Sequence, residues 1–410
     1  MTFRHIAILA ISFQIVACGQ ADQPATTSPT PEKVTDNATR AVELAKDSII
    51  IDTHIDVPYR IHDAWEDVSV ATDGGDFDYP RAVAGGLNAP FMSIYTPAGL
   101  EAEGLSKKVA DELIDLVNRI ANESPDKFAI ALSPDDIEAQ FEAGLISLPM
   151  GMENGSPIEG DLANLQHFYD RGIRYITLAH GLSNHISDSS YDDNKQHGGL
   201  SEFGTDVVKE MNRLGIMVDI SHVSDEAFWD VMAITRAPAI ASHSSPRHFT
   251  PGWERNIADD MIVGLAENGG VVMINYGSAF LTEAANTYGD TRTAAYEAYR
   301  AENDLEDSAE LTNEFRERYA QEFPYPYATL DETLDHFDHV RDLVGINYVG
   351  IGSDYDGVGD SLPIGLKDVS SYPTLVKGLL DRGYNDEDIV KILGGNLMRA
   401  WREVESASES

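Results

Sequence analysis

The apolar residues of the chain fall into eight short runs that are separated by segments with helical spacing. The first run, residues 48–56, contains three consecutive isoleucines and ends in Asp52-Thr53-His54-Ile55-Asp56. Seven more runs follow it, at residues 88–96, 146–152, 173–180, 216–222, 239–243, 270–276 and 348–354. Short apolar runs bounded by polar residues are typical of strands that are buried on both faces of a parallel sheet.

Amphipathic spacing between these runs predicts helices at residues 41–47, 106–122, 162–171, 202–214, 225–235, 259–268, 331–344 and 372–382. Ser133-Pro134 and Ser224-Asp225 are helix start signals. Strands that alternate with helices form parallel βαβ units, and eight such strands predict an α/β fold, a (β/α)₈ barrel of the TIM type. Residues 128–145 are expected to add one further helix and strand before the third barrel strand.

Residues 281–326 interrupt this alternation. The segment is acidic, rich in Glu, Ala, Tyr and Arg, and has helical character at residues 294–322. It follows the seventh strand, so in a barrel it belongs to the face that carries active sites. The sequence leaves open whether the insertion is a decoration, or a lid or dimer contact.

The charge of the chain limits its partners. The 29 Lys and Arg residues against 69 Asp and Glu residues give a formal net charge of −40. Such a charge argues against nucleic acid and anionic membrane surfaces as partners. Cys18 is the single cysteine, which rules out an intrachain disulfide and a zinc site built from cysteines.

The N-terminus predicts export from the cytoplasm. Arg4 and His5 precede an apolar run at residues 6–17 that is too short to span a bilayer, which is typical of a signal peptide. Ile15-Val16-Ala17-Cys18-Gly19 resembles a bacterial lipoprotein signal, in which the cysteine is lipidated. The alternative is plain secretion with cleavage near Ala21. We expect a lipoprotein signal peptide at 1–18 and a lipid anchor on Cys18 in the cell envelope of a bacterium, facing the periplasm or the cell surface.

The composition of the next segment, rich in Thr, Pro, Ser and Ala, predicts a flexible linker at 19–40. The predicted barrel domain then occupies residues 41–405.

Titratable residues cluster where the predicted strands end. In a parallel barrel, functional side chains lie at the C-terminal strand ends and in the loops that follow them. Six strand ends carry His, Asp or Glu: His54, Asp56, Glu153, His180, His222, His243, Asp354 and Asp356. Buried structural histidines explain one or two of these positions but not four, so the pattern predicts a metal centre.

The number of ligands suggests two metal ions. His54, Asp56, Glu153, His222 and His243 offer three imidazoles and two carboxylates, and Glu153 has two oxygens with which to bridge. A bridged pair about 3.5–4 Å apart would hold a hydroxide and polarise a carbonyl group. This ligand set suits Zn²⁺, with Mn²⁺ or Co²⁺ as alternatives. Gly151 and Gly155 are expected to let the backbone bend so that Glu153 reaches the centre.

Taken together, these motifs resemble the membrane dipeptidases, also called renal dipeptidases, of the amidohydrolase-like barrels. The resemblance covers residues 45 to 400. It is carried by Asp52-Thr53-His54-Ile55-Asp56, Gly151-Met152-Glu153-Asn154-Gly155, residues 174–180, residues 207–224, Ser242-His243-Ser244-Ser245, Arg255-Asn256 and residues 350–357.

The resemblance implies a division of the metal ligands. His54 and Asp56 would bind one zinc ion, His222 and His243 the other, and Glu153 would bridge the two ions. The activity it implies is hydrolysis of dipeptides by a hydroxide held between the metals.

The resemblance also implies roles around the metals. His180 would contact the substrate near the scissile carbonyl and stabilise the tetrahedral intermediate. Arg255 would pair with the C-terminal carboxylate of a dipeptide, although sequence alone favours a surface arginine there. Asp354 would handle protons, or orient the hydroxide and the substrate amine. Asp52 would orient a ligand, and Asp356 would be structural or line the pocket.

The chain departs from the mammalian members of that family. It lacks the cysteines of their disulfides, so any homodimer would be non-covalent, and its anchor would be N-terminal. The longer insertion at 281–326 leaves the substrate preference open. His62, His167, His185, His197, His248, His336 and His339 match no motif, and most are expected to be structural or at the surface. A place in the pocket stays open for His185 and His197, which lie in the loop after the fourth strand.

Two other functions remain open at this point. One is a related binuclear amidohydrolase that acts on another small amide, a lactam or an N-acyl amino acid. The other is a binding module without activity, which the presence of all five matched ligands disfavours.

Overall fold

A closed parallel barrel of eight strands confirms the predicted fold class. The computed structural model describes residues 36–408. The strands are β1 Ile50–Ile55, β2 Leu87–Tyr95, β3 Phe128–Ile130, β4 Ile146–Leu148, β5 Met150–Glu153, β6 Ile173–Thr177, β7 Met217–Asp219, β8 Ile240–Ala241, β9 Val271–Ile274 and β10 Val349–Ile351. The barrel order is β1-β10-β9-β8-β7-β6-β5-β2, and β3 pairs with β4 in a separate two-stranded sheet.

Each of the eight helices predicted from amphipathic spacing is present in residues 36–408. The helices are α1 Asn37–Asp47, α2 Val57–Arg60, α3 Tyr79–Gly85, α4 Leu100–Glu103, α5 Ser106–Glu123, α6 Pro134–Glu142, α7 Ala163–Asp170, α8 Glu202–Leu214, α9 Asp225–Ile234, α10 Asp259–Glu267, α11 Ser278–Leu281, α12 Glu283–Asn286, α13 Tyr288–Asn303, α14 Ala309–Glu322, α15 Leu330–Val344, α16 Tyr372–Asp381, α17 Asp386–Val390 and α18 Asn396–Ala407. Of these, α2, α3, α4, α17 and α18 were not predicted. Short 3₁₀ turns occupy Ser156–Ile158, Arg247–Phe249, Ile346–Tyr348 and Val369–Ser371, and Lys391–Gly395 is π-helical. Across this described range, no helix combines the length and the apolar character that a membrane span requires.

Side-chain caps explain where several helices begin. The side chains of Ser133 and Ser224 accept hydrogen bonds from backbone N–H groups in the first turns of α6 and α9, which confirms both start signals. The carboxylate of Asp36 caps α1 in the same way. Helix α1 therefore begins at Asn37, so the predicted linker boundary at residue 40 was too late. Helix α18 runs two residues beyond the predicted domain end at 405.

The predicted signal peptide, Cys18 and most of the predicted linker lie outside the described residues.

The third predicted strand was wrong in one respect, because Pro149 divides it. Strand β4 joins β3 in the small sheet, whereas β5 enters the barrel between β2 and β6. Proline has no N–H with which to continue a ladder, although its carbonyl still accepts a hydrogen bond from Met92 N at 2.8 Å. The small sheet and α6 are the additional element that was expected at residues 128–145.

The insertion at 281–326 has an aromatic core of its own. It consists of α12, α13 and α14, and a turn at residues 304–308 divides the helical stretch that was predicted as one. The ring of Phe315 packs against Tyr296 at 5.3 Å, Tyr299 at 5.4 Å and Tyr319 at 5.8 Å between centroids. These contacts hold the two longer helices of the insertion together.

Large aromatic side chains fill the barrel interior beneath the strand ends. The rings of Tyr175 and Trp401 both pack against Phe91, at 5.4 Å between centroids, and all three are fully buried. A Cβ atom added at Gly151 would lie 1.9 Å from Cζ of Tyr175. Gly151 is therefore required by the space that the Tyr175 ring occupies, since its φ is not positive, and the expected role in backbone bending is corrected.

Substituting Gly151→Ala tests this packing. We expect the free energy of unfolding to fall by about 2 kcal/mol, because the Tyr175 ring is forced out of its place in the barrel interior. Chemical denaturation measures the change. Gly289→Ala is the matched control, since a Cβ atom at that helical glycine meets no other atom within 4 Å. Equal denaturation midpoints for the two variants would contradict the assignment.

Candidate metal centre and active site

One buried carboxylate lies among histidines from four different strand ends. Glu153 Oε2 is 3.4 Å from His54 Nε2, whereas Oε1 is 3.1 Å from His222 Nε2 and 3.3 Å from His243 Nε2. His180 Nε2 also lies 3.4 Å from Oε1. The two oxygens of Glu153 therefore face different imidazoles, as bridging between two ions requires.

Three side-chain atoms of the predicted ligands lack a hydrogen bond among the described residues. His54 Nε2, His222 Nδ1 and Asp56 Oδ1 are buried and make no hydrogen bond within the described residues. His222 Nε2 and His243 Nε2 are only 2.9 Å apart, and both lie within 3.3 Å of Glu153 Oε1.

Side chains with ligand atoms within 4.8 Å of one another form three groups at this centre: His54, Glu153 and His243; Glu153, His180 and His222; and His54, Asp56 and Asp354. Buried polar atoms are costly without partners, so this donor set fits divalent cations.

Hydrogen bonds behind the rings fix two of the imidazoles. His54 Nδ1 lies 2.9 Å from the Tyr175 hydroxyl, which donates its own proton to Thr53 O at 2.9 Å. The hydroxyl must therefore accept from Nδ1–H, so Nε2 is the ring nitrogen that faces Glu153. An outer partner of this kind sets the tautomer of a metal-binding histidine.

His243 is fixed in the same way through a serine. Its Nδ1 lies 2.7 Å from Ser242 Oγ, which donates to Asp219 Oδ2 at 2.6 Å. Asp219 Oδ1 also accepts from the backbone N–H groups of Ser221 and Ser242, at 3.0 and 2.8 Å. Asp219 supports the His243 end of the site and was missed from the sequence. Asp219 could have been identified from the sequence by its position at a strand end, which is comparable to the position of Asp52.

The Asp52 carboxylate accepts hydrogen bonds from backbone N–H groups and a tyrosine hydroxyl rather than from an imidazole ring. Its carboxylate accepts from His54 N at 3.2 Å, Ser353 N at 2.9 Å and the Tyr372 hydroxyl at 2.5 Å. Burial raises the pKa of Asp52, although these hydrogen bonds act in the opposite direction. The residue thus ties the ends of β1 and β10 together beside His54 and Asp354.

Charges within the site oppose the effect of burial. Burial disfavours the charge of Glu153, but His54 and His180 outweigh it and hold its pKa well below the ordinary value. Burial also acts against a charge on His54, yet Tyr175, Glu153 and Asp56 raise its pKa well above the ordinary value. Burial, with Arg255 nearby, lowers the pKa of His222 and of His243. Neutral imidazoles are the form that binds metals.

A cavity of about 810 Å³ opens over this centre, and it is lined by Asp56, Tyr59, Tyr95, Glu153, His180, Gly181, Tyr191, His222, Ala279, Phe280, Tyr325, Asp354, Asp356, Gly357, Val358 and Ser361. His180 is partly exposed there, and its ring lies 4.2 Å from that of His222.

Asp354 accepts a hydrogen bond from Asn275 Nδ2 at 2.7 Å. Burial, with Asp56 and Glu153 close by, raises the pKa of Asp354 to about 8.

Arg255 lies beside the cavity and is not among its lining residues. It is buried, with Nη1 donating to Ser244 Oγ at 2.7 Å and Nη2 donating to His243 O at 2.9 Å. Its Nε makes no hydrogen bond among the described residues. The sequence alone favoured a surface arginine at this position, and that interpretation was wrong.

Unusual backbone angles are concentrated at these strand ends. Asn154, His222, Asp354 and Asp356 have φ between 64° and 83°. Such angles are uncommon for residues other than glycine and cost about 1–3 kcal/mol where nothing compensates them. The side chain of Asn154 offsets part of this cost, because it donates to Thr96 O and accepts from Ser156 N.

The remaining candidate residues, Asp356, His185 and His197, make hydrogen bonds or ion pairs with other protein groups. Asp356 accepts from Arg60 Nε at 3.0 Å and from Asp76 N at 2.6 Å, and it also reaches the cavity wall. His185 pairs with Glu101, and His197 contacts Asn184 O. Neither histidine lines the cavity, so the possibility that these two lie in the pocket is not borne out and both have structural contacts.

Comparison with known proteins adds to this geometry. The sequence profile of the family described as membrane dipeptidase, peptidase family M19, matches residues 38–410. Dipeptidase aclJ of Aspergillus oryzae is 34% identical over 343 residues, which cover 82% of this chain and 72% of the relative. Dipeptidase verJ of Clonostachys rogersoniana is 32% identical over 387 residues, which cover 91% of this chain and 88% of the relative.

A solved structure also shares the fold over nearly its whole length. The probable dipeptidase PvdM from Pseudomonas aeruginosa superimposes with a TM-score of 0.78 at 28% identity, covering 91% of this chain and 99% of its own. The barrel, the buried donor set at its strand ends and the match over residues 38–410 agree with one another. The chain therefore belongs to the membrane dipeptidase family, peptidase family M19, and is a metallo-dipeptidase.

Proposed function

We propose that this chain hydrolyses dipeptides with two zinc ions, one held by His54 and Asp56 and the other by His222 and His243, with Glu153 between them. The observation that carries the proposal is the division of the Glu153 oxygens, of which one faces His54 and the other faces His222 and His243. When bound, such a pair of ions supplies a hydroxide at neutral pH and polarises the substrate carbonyl.

The contribution of the protein to the reaction is orientation. Tyr175 and Ser242 hold the rings of His54 and His243 so that their Nε2 atoms face Glu153. His180 lies beside Glu153 at the cavity surface, where its ring N–H is placed to donate to the oxygen of the scissile carbonyl as negative charge develops there. Preorganised donors of this kind stabilise the transition state more than the ground state.

Two further side chains are proposed to bind the two ends of the substrate. Arg255 has a buried guanidinium whose Nε makes no hydrogen bond within residues 36–408, which suits the C-terminal carboxylate of a dipeptide. Asp354 reaches the cavity from the loop after β10, where it would accept a proton from the substrate amine or transfer one to the leaving group. Together they would restrict the substrate to two residues.

We also propose that Cys18 carries a lipid that anchors the enzyme in a bacterial cell envelope. The support is the sequence Ile15-Val16-Ala17-Cys18-Gly19, which follows an apolar run of signal-peptide length. The dipeptidase would then act in the periplasm or at the cell surface.

Substituting Glu153→Gln tests the shared ligand. The amide keeps the shape of the side chain but loses its charge, so we expect bound zinc to fall from about two ions to one or fewer per chain. The kcat/KM for Ala-Ala should fall by about a thousandfold. Elemental analysis and dipeptide kinetics measure the two effects. The exposed Glu103→Gln serves as the control, and an active Glu153→Gln enzyme with two zinc ions would refute the bridge.

Substituting Arg255→Lys tests recognition of the carboxylate. Lysine keeps the charge but loses the fork of donors, so KM for Ala-Ala should rise about tenfold to a hundredfold while kcat changes less. The C-terminal amide of the same dipeptide has no carboxylate, so its KM should respond little to the substitution. Equal increases in KM for the acid and the amide would assign Arg255 to a structural role.

Substituting Cys18→Ala tests the anchor. The full-length chain expressed in a bacterium should fractionate with membranes and incorporate a labelled fatty acid, because acylation requires the cysteine thiol. The variant should be released from the membrane fraction without label. Recovery of unlabelled wild-type protein in the soluble fraction would favour plain secretion instead.

A further inference from the structure

One side of the cavity carries no group that the proposed mechanism uses. Ala279, Phe280, Tyr325 and Val358 line it together, and we call these four residues the apolar wall. The other lining residues include four carboxylates, from Asp56, Glu153, Asp354 and Asp356, and no lysine or arginine. An 810 Å³ cavity exceeds what the backbone of a dipeptide fills, so it leaves room for a side chain of the substrate against this wall.

Three separate loops build the apolar wall. Phe280 belongs to α11 directly after β9, Val358 follows β10, and Tyr325 comes from the insertion. A Cβ atom at Gly277 would lie 2.9 Å from both the Phe280 ring and Val358 Cγ1, so these two side chains meet over that glycine. The loops are joined where Ser278 N donates to Ser361 O at 2.9 Å.

The segment that carries Tyr325 is hydrogen-bonded to neighbouring loops at its C-terminal end. Ala328 N donates to Ser278 Oγ at 2.9 Å, and Ile364 N donates to Ala328 O at 2.8 Å. The Tyr327 hydroxyl donates to Asp360 Oδ2 at 2.9 Å. These bonds tie the end of the insertion to the loops after β9 and β10, so Tyr325 is presented to the cavity by a fixed segment.

The helices of the insertion hold the Tyr325 ring from behind. Tyr288 of α13 contacts it edge to face at 5.2 Å, and Tyr319 of α14 contacts Tyr288 at 5.8 Å. Edge-to-face aromatic pairs stabilise one another beyond the burial of their surface. The aromatic core of the insertion thus continues as far as the cavity, which favours a functional role over decoration.

The place of Arg255 indicates which side chain of the substrate meets this wall. The Arg255 guanidinium lies 5.0 Å from the centre of the Phe280 ring. A carboxylate bound by Arg255 would therefore lie next to Phe280, and the side chain on the adjoining Cα atom would extend towards Tyr325 and Val358. That side chain belongs to the C-terminal residue of the dipeptide.

We propose that the apolar wall is a subsite for a large apolar or aromatic side chain on the C-terminal residue of the dipeptide, with Tyr325 as its specificity-determining residue. The subsite rests on the proposed function, because it takes the position of Arg255 as the carboxylate anchor. Acidic C-terminal side chains are disfavoured at the apolar wall, since its four residues carry no charge and Asp354 and Asp356 line the same cavity.

Kinetics with three dipeptides test the subsite in the full-length, zinc-loaded enzyme. The wild type should hydrolyse Ala-Phe with a higher kcat/KM than Ala-Ala, and Ala-Asp with the lowest. In Tyr325→Ala, the ratio of kcat/KM for Ala-Phe to that for Ala-Ala should fall about tenfold, mainly through KM, because the aromatic contact is lost. Tyr325→Phe keeps the ring and should keep the ratio.

Tyr348→Ala is the matched control, since Tyr348 lies in the 3₁₀ turn before β10, outside the insertion, and does not line the cavity. It should leave the substrate ratio as in the wild type. If Tyr325→Ala lowered the rates for Ala-Phe and Ala-Ala equally, or lowered neither, the subsite would be overturned while the dipeptidase function stood. If the wild type hydrolysed none of the three dipeptides, the proposed function would fail and the subsite with it.

Discussion

Glu153 is a buried carboxylate whose charge has to be balanced by the groups around it, and much of the molecule serves that balance. A lone charge in a protein interior costs several kcal/mol, so it persists only among cations and donors with well-defined positions. His54, His180, His222 and His243 surround its two oxygens. Each of these histidines comes from a different strand end, so the arrangement exists only when the barrel is closed.

The support of those imidazoles extends into the barrel interior. Tyr175 fills space that Gly151 leaves open and uses its hydroxyl to orient His54. Asp219 orients His243 through Ser242. The same residues therefore pack the interior and select the tautomers of the site, which couples the stability of the fold to the preparation of the metal centre. The positive φ angles at the strand ends add backbone strain, which the surrounding packing compensates.

The cavity walls above the strand ends are built by other segments of the chain. They come from loops after β9 and β10 and from the insertion, and their aromatic lining is continuous with the core of the insertion helices. The strand ends carry the donor set that fits metal ions, whereas these added segments shape the cavity that we propose receives a substrate side chain. Variation in loops on a fixed barrel is the usual way in which this fold changes its specificity.

The sequence by itself determined the eight-strand barrel and the residues at its mouth, because apolar periodicity and strand-end chemistry are local properties of the chain. It also located the main helices between the strands to within a few residues, as the caps at Ser133 and Ser224 illustrate, but it missed α18. Only the tertiary structure divided the third strand at Pro149, buried Arg255 beside Phe280 and brought Tyr325 to the cavity. These outcomes depend on contacts between residues distant in sequence, which a one-dimensional pattern does not encode.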